Sequence, residues 1–424
     1  MKLGAYLSTQ IEAALTEVLK FVGPADAVLS RFFRANPKLG HQDRGIIAEA
    51  VYAVLRRRME FAHLGESGTG APVRRLALLG LLQTVGSAAL LPTLSPAERS
   101  WVERIPKIDP ATLPERIRLN LPDWIREALA KRFDAAELTA LAAALSYPAP
   151  LDCRVNTLKS SREAVLTALG TAGIDANPTL LAPLGVRLAG KPQLAKLPAF
   201  ENGWIEVQDE GSQLLCALVG AKRGEMVADF CAGAGGKTLA LGAAMRSTGR
   251  LYAFDVAERR LARLKPRLAR SGLSNVHPVL IDSERDAKIK RLAGKMDRVL
   301  VDAPCSGLGT LRRNPDLKWR QTPASIDELV VKQAAILAAA AGLVKPGGRL
   351  VYATCSLLTA ENEDIVHGFL EGPGKGRFVI VPAQEVLAEQ RIDLESGEFF
   401  SVLPHRHGTD GFFAAVLRRE DSVA

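Results

Sequence analysis

The second half of the chain alternates short apolar runs with amphipathic stretches, and this alternation limits the possible folds more than any other feature. From about Gln213 onward the apolar runs are rich in β-branched and aromatic residues, as in buried strands, and helical spacing lies between most of them. The expected strands are Met226–Phe230, Leu251–Asp255, Val276–Ile281, Val299–Asp302 and Arg349–Thr354, with a last strand at Gly411–Leu417. The pattern predicts a doubly wound, mainly parallel α/β sheet.

Two further domains are predicted before this sheet. Residues 1–145 show helical spacing without strand alternation and are interrupted by prolines, which indicates an all-helical domain. Residues 148–212 begin within the proline-containing joint Ser146–Pro150, and they combine short apolar runs with one expected helix, Arg162–Ala172. This middle region predicts a small α+β module, so that the sheet domain would span residues 213–424.

Composition indicates an ordinary globular protein without a disulfide framework. The 424 residues include five cysteines, an odd number, and no CxxC pair or His and Cys cluster suggests a zinc site. The first residues contain no signal-peptide core, and the apolar stretch Leu76–Leu91 is too short and too interrupted to span a membrane. We therefore expect a cytoplasmic monomer that binds neither a metal nor a membrane.

A moderate positive charge leaves the nature of the partner open. The net charge of +9 is spread along the chain, which suits a polyanion such as RNA and equally suits a solvated basic surface. One local cluster, the triplet Arg56–Arg58, ends a helix that we expect to begin near Asp43. The triplet would either contact RNA phosphates or form a solvated helix end.

Two cysteines follow two of the predicted strands. Cys305 comes shortly after Val299–Asp302, and Cys355 directly follows Arg349–Thr354. Adjacent parallel strands would bring both cysteines to the carboxyl edge of the sheet, where open α/β sheets bind ligands. A thiolate at that edge is a strong nucleophile, whereas the alternative is that both residues are small, inert core side chains.

A glycine-rich loop, Asp229–Thr238 (DFCAGAGGKT), joins the first strand of the sheet to a helix, and three ligands compete for it. A P-loop requires a glycine where Cys231 stands, although Gly236-Lys237-Thr238 and the strand Val299–Asp302 fit an NTPase. A dinucleotide fingerprint requires a third glycine where Thr238 stands.

S-adenosylmethionine is the third candidate. A site for it requires an acidic residue after the second strand to accept hydrogen bonds from the ribose hydroxyls. Asp255 stands at that position, and Asp282 and Asp302 follow the third and fourth strands. Asp282 would accept the adenine amino group. Each aspartate alone is also compatible with a turn or an N-cap.

Together these motifs resemble the Nol/Nop/Sun family of RNA 5-methylcytosine methyltransferases, from about Arg154 to the end of the chain. The resemblance rests on Asp229–Thr238, Asp302–Thr310 (DAPCSGLGT), Arg313–Trp319 (RNPDLKW), Ala353–Ser356 (ATCS), Gln208–Gln213 (QDEGSQ), Glu361–Glu363 (ENE) and Asp410–Phe413 (DGFF). The family loop usually reads CAAPGGKT, whereas Gly233 and Ala234 occupy the two middle positions here. The N-terminal helices, through Asp43–Gly45 and Val51–Leu55, look like the NusB-like RNA-binding domain of the bacterial RsmB (Sun/Fmu) branch.

The resemblance implies a reaction and a role for each site residue. Cys355 would add to C6 of a cytosine, Cys305 would help to release the product, and Asp302 would hydrogen-bond the base. Lys318, Trp319 and Arg320 could flank the flipped base, although the alternative for Trp319 is a core side chain. Lys237 and Arg260 would support the cofactor site. The residues expected to bind S-adenosylmethionine are Cys231, Ala232, Gly233, Ala234, Gly235, Gly236, Lys237, Asp255, Arg260, Asp282 and Asp302.

By the same resemblance the substrate is RNA, with 16S ribosomal RNA first and transfer RNA or another ribosomal site next. Alternatives remain open at this point. The chain would otherwise be a catalytically silent RNA-binding or ribosome-assembly factor on the same fold, or a P-loop NTPase. DNA cytosine methylation uses similar chemistry, but its nucleophile follows a proline, whereas the Thr354-Cys355 pair is an additional feature here.

Overall fold

The computed structural model describes residues 5–421, which form two compact units. The helical unit comprises the chain up to Pro148 together with the later segment Thr310–Pro323, and the sheet unit comprises Ala149–Gly309 and the chain from Ala324 onward. Residues 1–4 and 422–424, at the ends of two predicted domains, lie outside the described residues. The three-part domain division remains a prediction.

Helices alone build the chain between residues 5 and 148, where the structure has no strand. Side chains three and four positions apart, such as Ile11 and Leu15 or Ile47 and Val51, are fully buried in one apolar core. None of the helices in residues 5–421 is long and apolar enough to cross a membrane. The helices are α1 (Ala5–Val18), α2 (Ala25–Ala35), α3 (His41–Arg56), α4 (Arg58–Gly65), α5 (Pro72–Val85), α6 (Ser87–Leu90), α7 (Pro96–Val102), α8 (Glu115–Leu119), α9 (Asp123–Ala130) and α10 (Ala135–Leu145).

The sheet unit contains two sheets. Its strands are β1 (Leu151–Val155), β2 (Ala176–Pro178), β3 (Gly185–Leu188), β4 (Ile205–Val207), β5 (Met226–Asp229), β6 (Arg250–Asp255), β7 (Val276–Leu280), β8 (Met296–Asp302), β9 (Val344–Thr354), β10 (Phe378–Val381), β11 (Phe400–Val402) and β12 (Phe412–Arg419). The smaller sheet has the order β2-β3-β1-β4 and the larger has β10-β12-β9-β8-β5-β6-β7, with β11 also paired to β12.

The large sheet is doubly wound, as predicted. Strands β7, β6, β5, β8 and β9 are parallel to one another, and β12 runs antiparallel to β9, β10 and β11. The remaining helices are α11 (Arg162–Thr171), α12 (Pro198–Glu201), α13 (Glu210–Val219), α14 (Gly236–Ala244), α15 (Glu258–Ser271), α16 (Ala287–Lys290), α17 (Leu317–Arg320), α18 (Pro323–Ala341), α19 (Glu363–Glu371), α20 (Ala383–Glu389) and α21 (Pro404–His407).

Both faces of the large sheet are buried, which explains why its strands read as continuous apolar runs. Val299, Val301 and Tyr352 belong to the apolar cluster on one face, and Leu300 and Val351 belong to the cluster on the other. The carboxyl ends of the central strands therefore form a rigid edge of the sheet.

The arginine triplet Arg56–Arg58 makes internal contacts in the helical unit. α3 ends at Arg56, two residues before the expected end, and Arg56 is only 8% exposed. Its guanidinium donates to the carbonyl of Arg312 at 3.1 Å, and Arg57 donates to Glu60 at 2.7 Å. The expectation of a solvated helix end is therefore wrong for Arg56.

The segment Thr310–Pro323 supplies buried polar contacts to the helical unit. Lys318 is 3% exposed, and its Nζ donates to the carbonyls of Arg56 and Asn120, each at 2.7 Å. Trp319 donates from Nε1 to the carbonyl of Leu55 at 2.8 Å. The segment is thus an integral part of this unit, although it follows the loop of Cys305 in the chain.

These contacts correct one prediction. Lys318 and Trp319 do not flank a target base, because both side chains are committed to main-chain acceptors of α3 and the turn after α8. Arg320 is paired with Asp316 at 3.2 Å, and Asp316 in turn accepts from the N–H of Ala25. The sequence suggested a base-binding role only because these residues follow the predicted catalytic loop.

Lys318 loses its proton more readily than an ordinary lysine. Burial, reinforced by the nearby charge of Arg56, lowers the pKa of Lys318 to about 7. A neutral amine has two N–H groups to donate, and the two carbonyls accept them. In the unfolded chain the pKa of a lysine is about 10.4, so between these values the unfolded state binds more protons. The contribution of Lys318 to the unfolding free energy therefore rises with pH from about 7 to about 10.

We expect Lys318→Met to remove this pH dependence. As pH is raised from 7 to 10, the unfolding free energy of the native chain should increase relative to that of Lys318→Met. Urea unfolding followed by tryptophan fluorescence suits the measurement, since Trp101, Trp124 and Trp319 all lie in the helical unit. Lys107→Met, at an exposed lysine of the same unit, is the control. A stability difference that stays constant with pH would contradict the assignment.

Candidate active site

Both predicted cysteines lie at the carboxyl edge of the large sheet, because β8 and β9 are adjacent and parallel. Asp302, the last residue of β8, is opposite Ala353 of β9, so the loops that follow the two strands start side by side. The Sγ atoms of Cys305 and Cys355 are 3.4 Å apart. Two sulfurs at this separation can share a hydrogen bond, and a substrate atom that reaches one of them also meets the other.

The thiol of Cys305 does not ionise readily. The hydrogen bond with Cys355 raises the pKa of Cys305 well above its usual value, and burial and the charges of Cys355 and Glu361 raise it further. Cys305 therefore keeps its proton, and the two sulfurs are close enough to share a hydrogen bond.

A buried carboxylate joins the loops of the two cysteines. Glu361 is fully buried, and it accepts hydrogen bonds from the hydroxyls of Ser306 and Ser356, the residues directly after the two cysteines. It also accepts from the backbone N–H of Ser306 at 2.8 Å and from Gln333 at 3.0 Å. The spacing of the sulfurs thus depends on Glu361, a residue that sequence reasoning used only as part of a family motif.

Asn362 holds the loop that contains Cys355 by hydrogen bonds. Its side chain accepts from the hydroxyl of Thr354 and donates to the carbonyl of Ser356 at 3.1 Å. The hydroxyl of Tyr352 donates to the carbonyl of Glu361 at 2.7 Å. The adjacent residues Glu361 and Asn362 therefore hold the residues on both sides of Cys355 by hydrogen bonds. The only sequence signal for this arrangement was an acid and an amide a few residues after the cysteine.

Lys237 and Asp302 form an ion pair at the same edge. Lys237, in the first turn of α14, places its Nζ 2.7 Å from Asp302 Oδ2 and 5.7 Å from the centre of the Phe412 ring. Burial opposes the charged form, but Asp302 outweighs it and raises the pKa of Lys237. The lysine of a P-loop instead reaches for nucleotide phosphates, so this pairing argues against the NTPase alternative.

The glycine loop is closed by Asp255. One carboxylate oxygen accepts from the N–H of Gly233 at 2.8 Å and the other from the N–H of Ala257 at 2.7 Å. Gly235 has φ +87°, and a Cβ at this position would lie 2.1 Å from Leu264 Cδ1. Only glycine fits there, which explains why this glycine is part of the pattern.

The loop fits a cofactor that carries a positive charge. Asp229, at the end of β5, is fully buried, and one of its oxygens accepts from the hydroxyl of Thr238 at 2.7 Å. Its other oxygen has no hydrogen-bond partner within residues 5–421, and burial raises the pKa of Asp229 to about 7. An ammonium or sulfonium group beside the loop would favour the ionised carboxylate.

Arg267 is a loop contact that the sequence analysis missed. From α15 it donates to the carbonyl of Ala234 at 2.5 Å, and its Nε donates to Glu206 at 3.2 Å. The loop is thus held at the position where the family usually has proline. No local signal distinguishes Arg267, which is one of several arginines on the same helix.

The other predicted cofactor residues divide into two groups. The residues from Cys231 to Lys237 lie together between β5 and the first turn of α14. Arg260 lies in the first turn of α15 and Asp282 follows β7, and both are exposed. The backbone N–H of Asp282 donates to Asp286 at 3.0 Å. Burial raises the pKa of Cys231, so this thiol is not a nucleophile. Within residues 5–421, no cluster of His, Cys, Asp and Glu is suited to hold a metal ion.

Two solved structures share much of this architecture. A chain described as PH0851 superposes with a TM-score of 0.76 and 26% identity, covering 99% of this chain and 100% of that chain. A methyltransferase homolog from Pyrococcus horikoshii gives a TM-score of 0.62 and 29% identity, covering 73% of this chain and 99% of that chain. The large sheet is therefore a Rossmann-like methyltransferase fold, as predicted.

Sequence comparisons identify the family. Residues 216–418 match the model described as 16S rRNA methyltransferase RsmB/F, and residues 121–195 match the ferredoxin-like domain of RsmF/B-like methyltransferases. A probable ribosomal RNA small subunit methyltransferase B from a Synechocystis species is 34% identical over 93% of this chain and 95% of its own length. The chain therefore belongs to the family of ribosomal RNA small subunit methyltransferase B.

Proposed function

We propose that this chain transfers a methyl group from S-adenosylmethionine to C5 of a cytosine in 16S ribosomal RNA. The observation on which the proposal rests is the pair of sulfurs 3.4 Å apart, of which Cys305 keeps its proton. The family model is described as a 16S rRNA methyltransferase, which supports both the reaction class and the substrate.

Cys355 begins the reaction as the nucleophile. Cytosine C5 is a weak nucleophile, and addition of the Cys355 thiolate to C6 forms a C–S bond and converts the ring into an enamine that is reactive at C5. The target base must first leave its stack to reach the sulfurs. When bound, S-adenosylmethionine would supply the electrophilic methyl group.

Asp302 and Lys237 hold the base during the addition. Asp302 hydrogen-bonds the ring near N3 or the exocyclic amino group, and so stabilises the adduct. Lys237 pairs with one oxygen of Asp302, which orients that carboxylate. Oriented charges at such an edge act without reorganisation during the reaction.

Cys305 assists release of the product. After methylation the C5 proton must leave, its electron pair re-forms the C5–C6 double bond, and the Cys355 thiolate is expelled. While Cys355 is bonded to C6 it carries no negative charge, so one cause of the raised pKa of Cys305 disappears. Cys305 then gives its own proton to solvent more readily and accepts the proton from C5.

The glycine loop would hold the methionine part of the cofactor, with Asp229 beside its charged groups. Asp255 would accept the ribose hydroxyls, since each of its oxygens has room for a second hydrogen bond. Asp282 would take the adenine amino group, and Arg260 would support the site from α15. This assignment completes the predicted set of cofactor residues.

Two predictions test this function, and the first concerns the two cysteines. With labelled S-adenosylmethionine and RNA from cells that lack this protein, the native chain should add one 5-methylcytosine that bisulfite sequencing locates in 16S ribosomal RNA. Cys355→Ala should lower the rate about 1000-fold or more, because the nucleophile is lost. Cys305→Ala should instead accumulate a covalent protein–RNA adduct, visible on a denaturing gel.

The double variant Cys305→Ala/Cys355→Ala is the control and should form no adduct. Full activity of Cys355→Ala would refute the assignment of the nucleophile. Absence of methyl transfer to any RNA by the native chain, with cofactor binding intact, would favour the RNA-binding or assembly factor.

The second prediction concerns Glu361. Glu361→Ala leaves buried donors of Ser306 and Gln333 unpaired, and we expect a loss of about 2–4 kcal/mol in the free energy of unfolding. Misplacement of the sulfurs should also lower kcat by about 100-fold, with the KM for RNA little changed. Glu361→Gln, which retains an acceptor, should recover part of both losses.

Glu371→Ala serves as the matched control, since this exposed glutamate lies at the end of the neighbouring helix α19. Equal rates for Glu361→Ala and the native chain would show that Glu361 does not position the cysteines.

A further inference from the structure

One face of α15 carries a stripe of arginines. At about 100° per residue, all five lie within an arc of about 100°, next to the buried leucines of the helix. Glu258 is the single acid in this helix, so the stripe has no internal neutralisation. The stripe consists of Arg259, Arg260, Arg263, Arg267 and Arg270.

The C-terminal half of the stripe is fixed. Glu206 of β4 pairs with Arg267 at 3.1 Å and with Arg270 at 2.6 Å. Arg267 also donates to the carbonyl of Ala234, and the Arg270 guanidinium lies 3.9 Å from the centre of the Phe200 ring. These contacts turn the arginine face of α15 toward the glycine loop.

The N-terminal half of the stripe has no such partners. Arg259, Arg260 and Arg263 are exposed, and no carboxylate pairs with any of them in the described part of the chain. Like charges one turn apart on a helix destabilise it by about 0.2–0.5 kcal/mol per pair. An unpaired cluster of this kind is relieved by a bound polyanion.

The position of this half links it to the reaction. α15 begins three residues after Asp255, the last residue of β6, so its first two turns lie at the carboxyl edge of the sheet. β8 and β5 lie between β6 and β9, the strand that Cys355 follows, so at about 4.8 Å per strand β6 is about 14 Å from β9. An RNA strand whose base reaches Cys355 therefore has phosphates within reach of these arginines.

We propose that Arg259 and Arg263 bind phosphates of the RNA substrate beside the target nucleotide. The pairing of Glu206 with Arg267 and Arg270 holds the helix in place, so that the free arginines form a preset electrostatic surface. The inference rests on the proposed function, because it names the surface that receives the same RNA. Arg260 is left out since its proposed role is at the cofactor.

The test compares two double variants of the full chain. Arg259→Ala/Arg263→Ala removes two charges at the carboxyl edge, and Lys222→Ala/Arg223→Ala removes two exposed charges just before β5, at the opposite edge. Binding of protein-free 16S ribosomal RNA from cells lacking the protein is measured at several salt concentrations, together with the affinity for S-adenosylmethionine.

We expect the arginine variant to bind RNA about 10- to 100-fold more weakly at low salt. The slope of log K against log salt should fall by about 1.4, since each lost phosphate contact in a single strand contributes about 0.7. The KM for RNA should rise with kcat nearly unchanged, cofactor affinity should stay within twofold, and the Lys222/Arg223 control should bind RNA normally.

An unchanged slope in the arginine variant, or an equal loss in the control, would overturn the proposal. Weaker binding to ribosomal particles alone, with normal binding to protein-free RNA, would assign the arginines to a protein partner and overturn it as well. Failure of the proposed function looks different. In that case the native chain would transfer no methyl group, while its RNA binding would still depend on Arg259 and Arg263.

Discussion

Glu361 is a fully buried carboxylate that accepts hydrogen bonds from the loops of both cysteines. Removing a carboxylate from water costs several kcal/mol, and the cost is offset only when good donors surround it. Ser306, Ser356 and Gln333 provide those donors. The parallel pairing of β8 with β9 brings the two loops to one edge of the sheet. The hydrogen bonds to Glu361 then set the distance between the sulfurs of Cys305 and Cys355.

The core of the sheet was predictable because its strands are buried on both faces. Continuous apolar runs predicted the positions of β5 to β9 to within a few residues. The largest difference is in β9, which begins at Val344 and not at Arg349. Residues 345–348 read as a turn, and tertiary pairing overrides that preference. The short strands β10 and β11 pair only with β12, and they were missed because each has too few residues to show a period.

The site was predictable where its chemistry is local in sequence. Cys305, Cys355, Lys237 and the glycine loop follow directly from short motifs next to strands. The residues that support the site were not predictable, because the partners are distant in sequence. Ser306 and Glu361 are 55 positions apart, and Arg267 and Ala234 are 33 positions apart. The error at Lys318 has the same origin, since its acceptor Arg56 is 262 positions away and nothing nearby in sequence indicates it.

The helical unit is discontinuous in the chain, and this has a consequence for how such proteins can be divided or recombined. A cut near Pro148 removes the acceptors of Lys318 and Trp319 but leaves the segment Thr310–Pro323 on the other fragment. That fragment would expose an indole and a buried amine to water a few residues after Cys305. Exchange of the N-terminal unit between relatives therefore requires two separate stretches of the gene to be exchanged together.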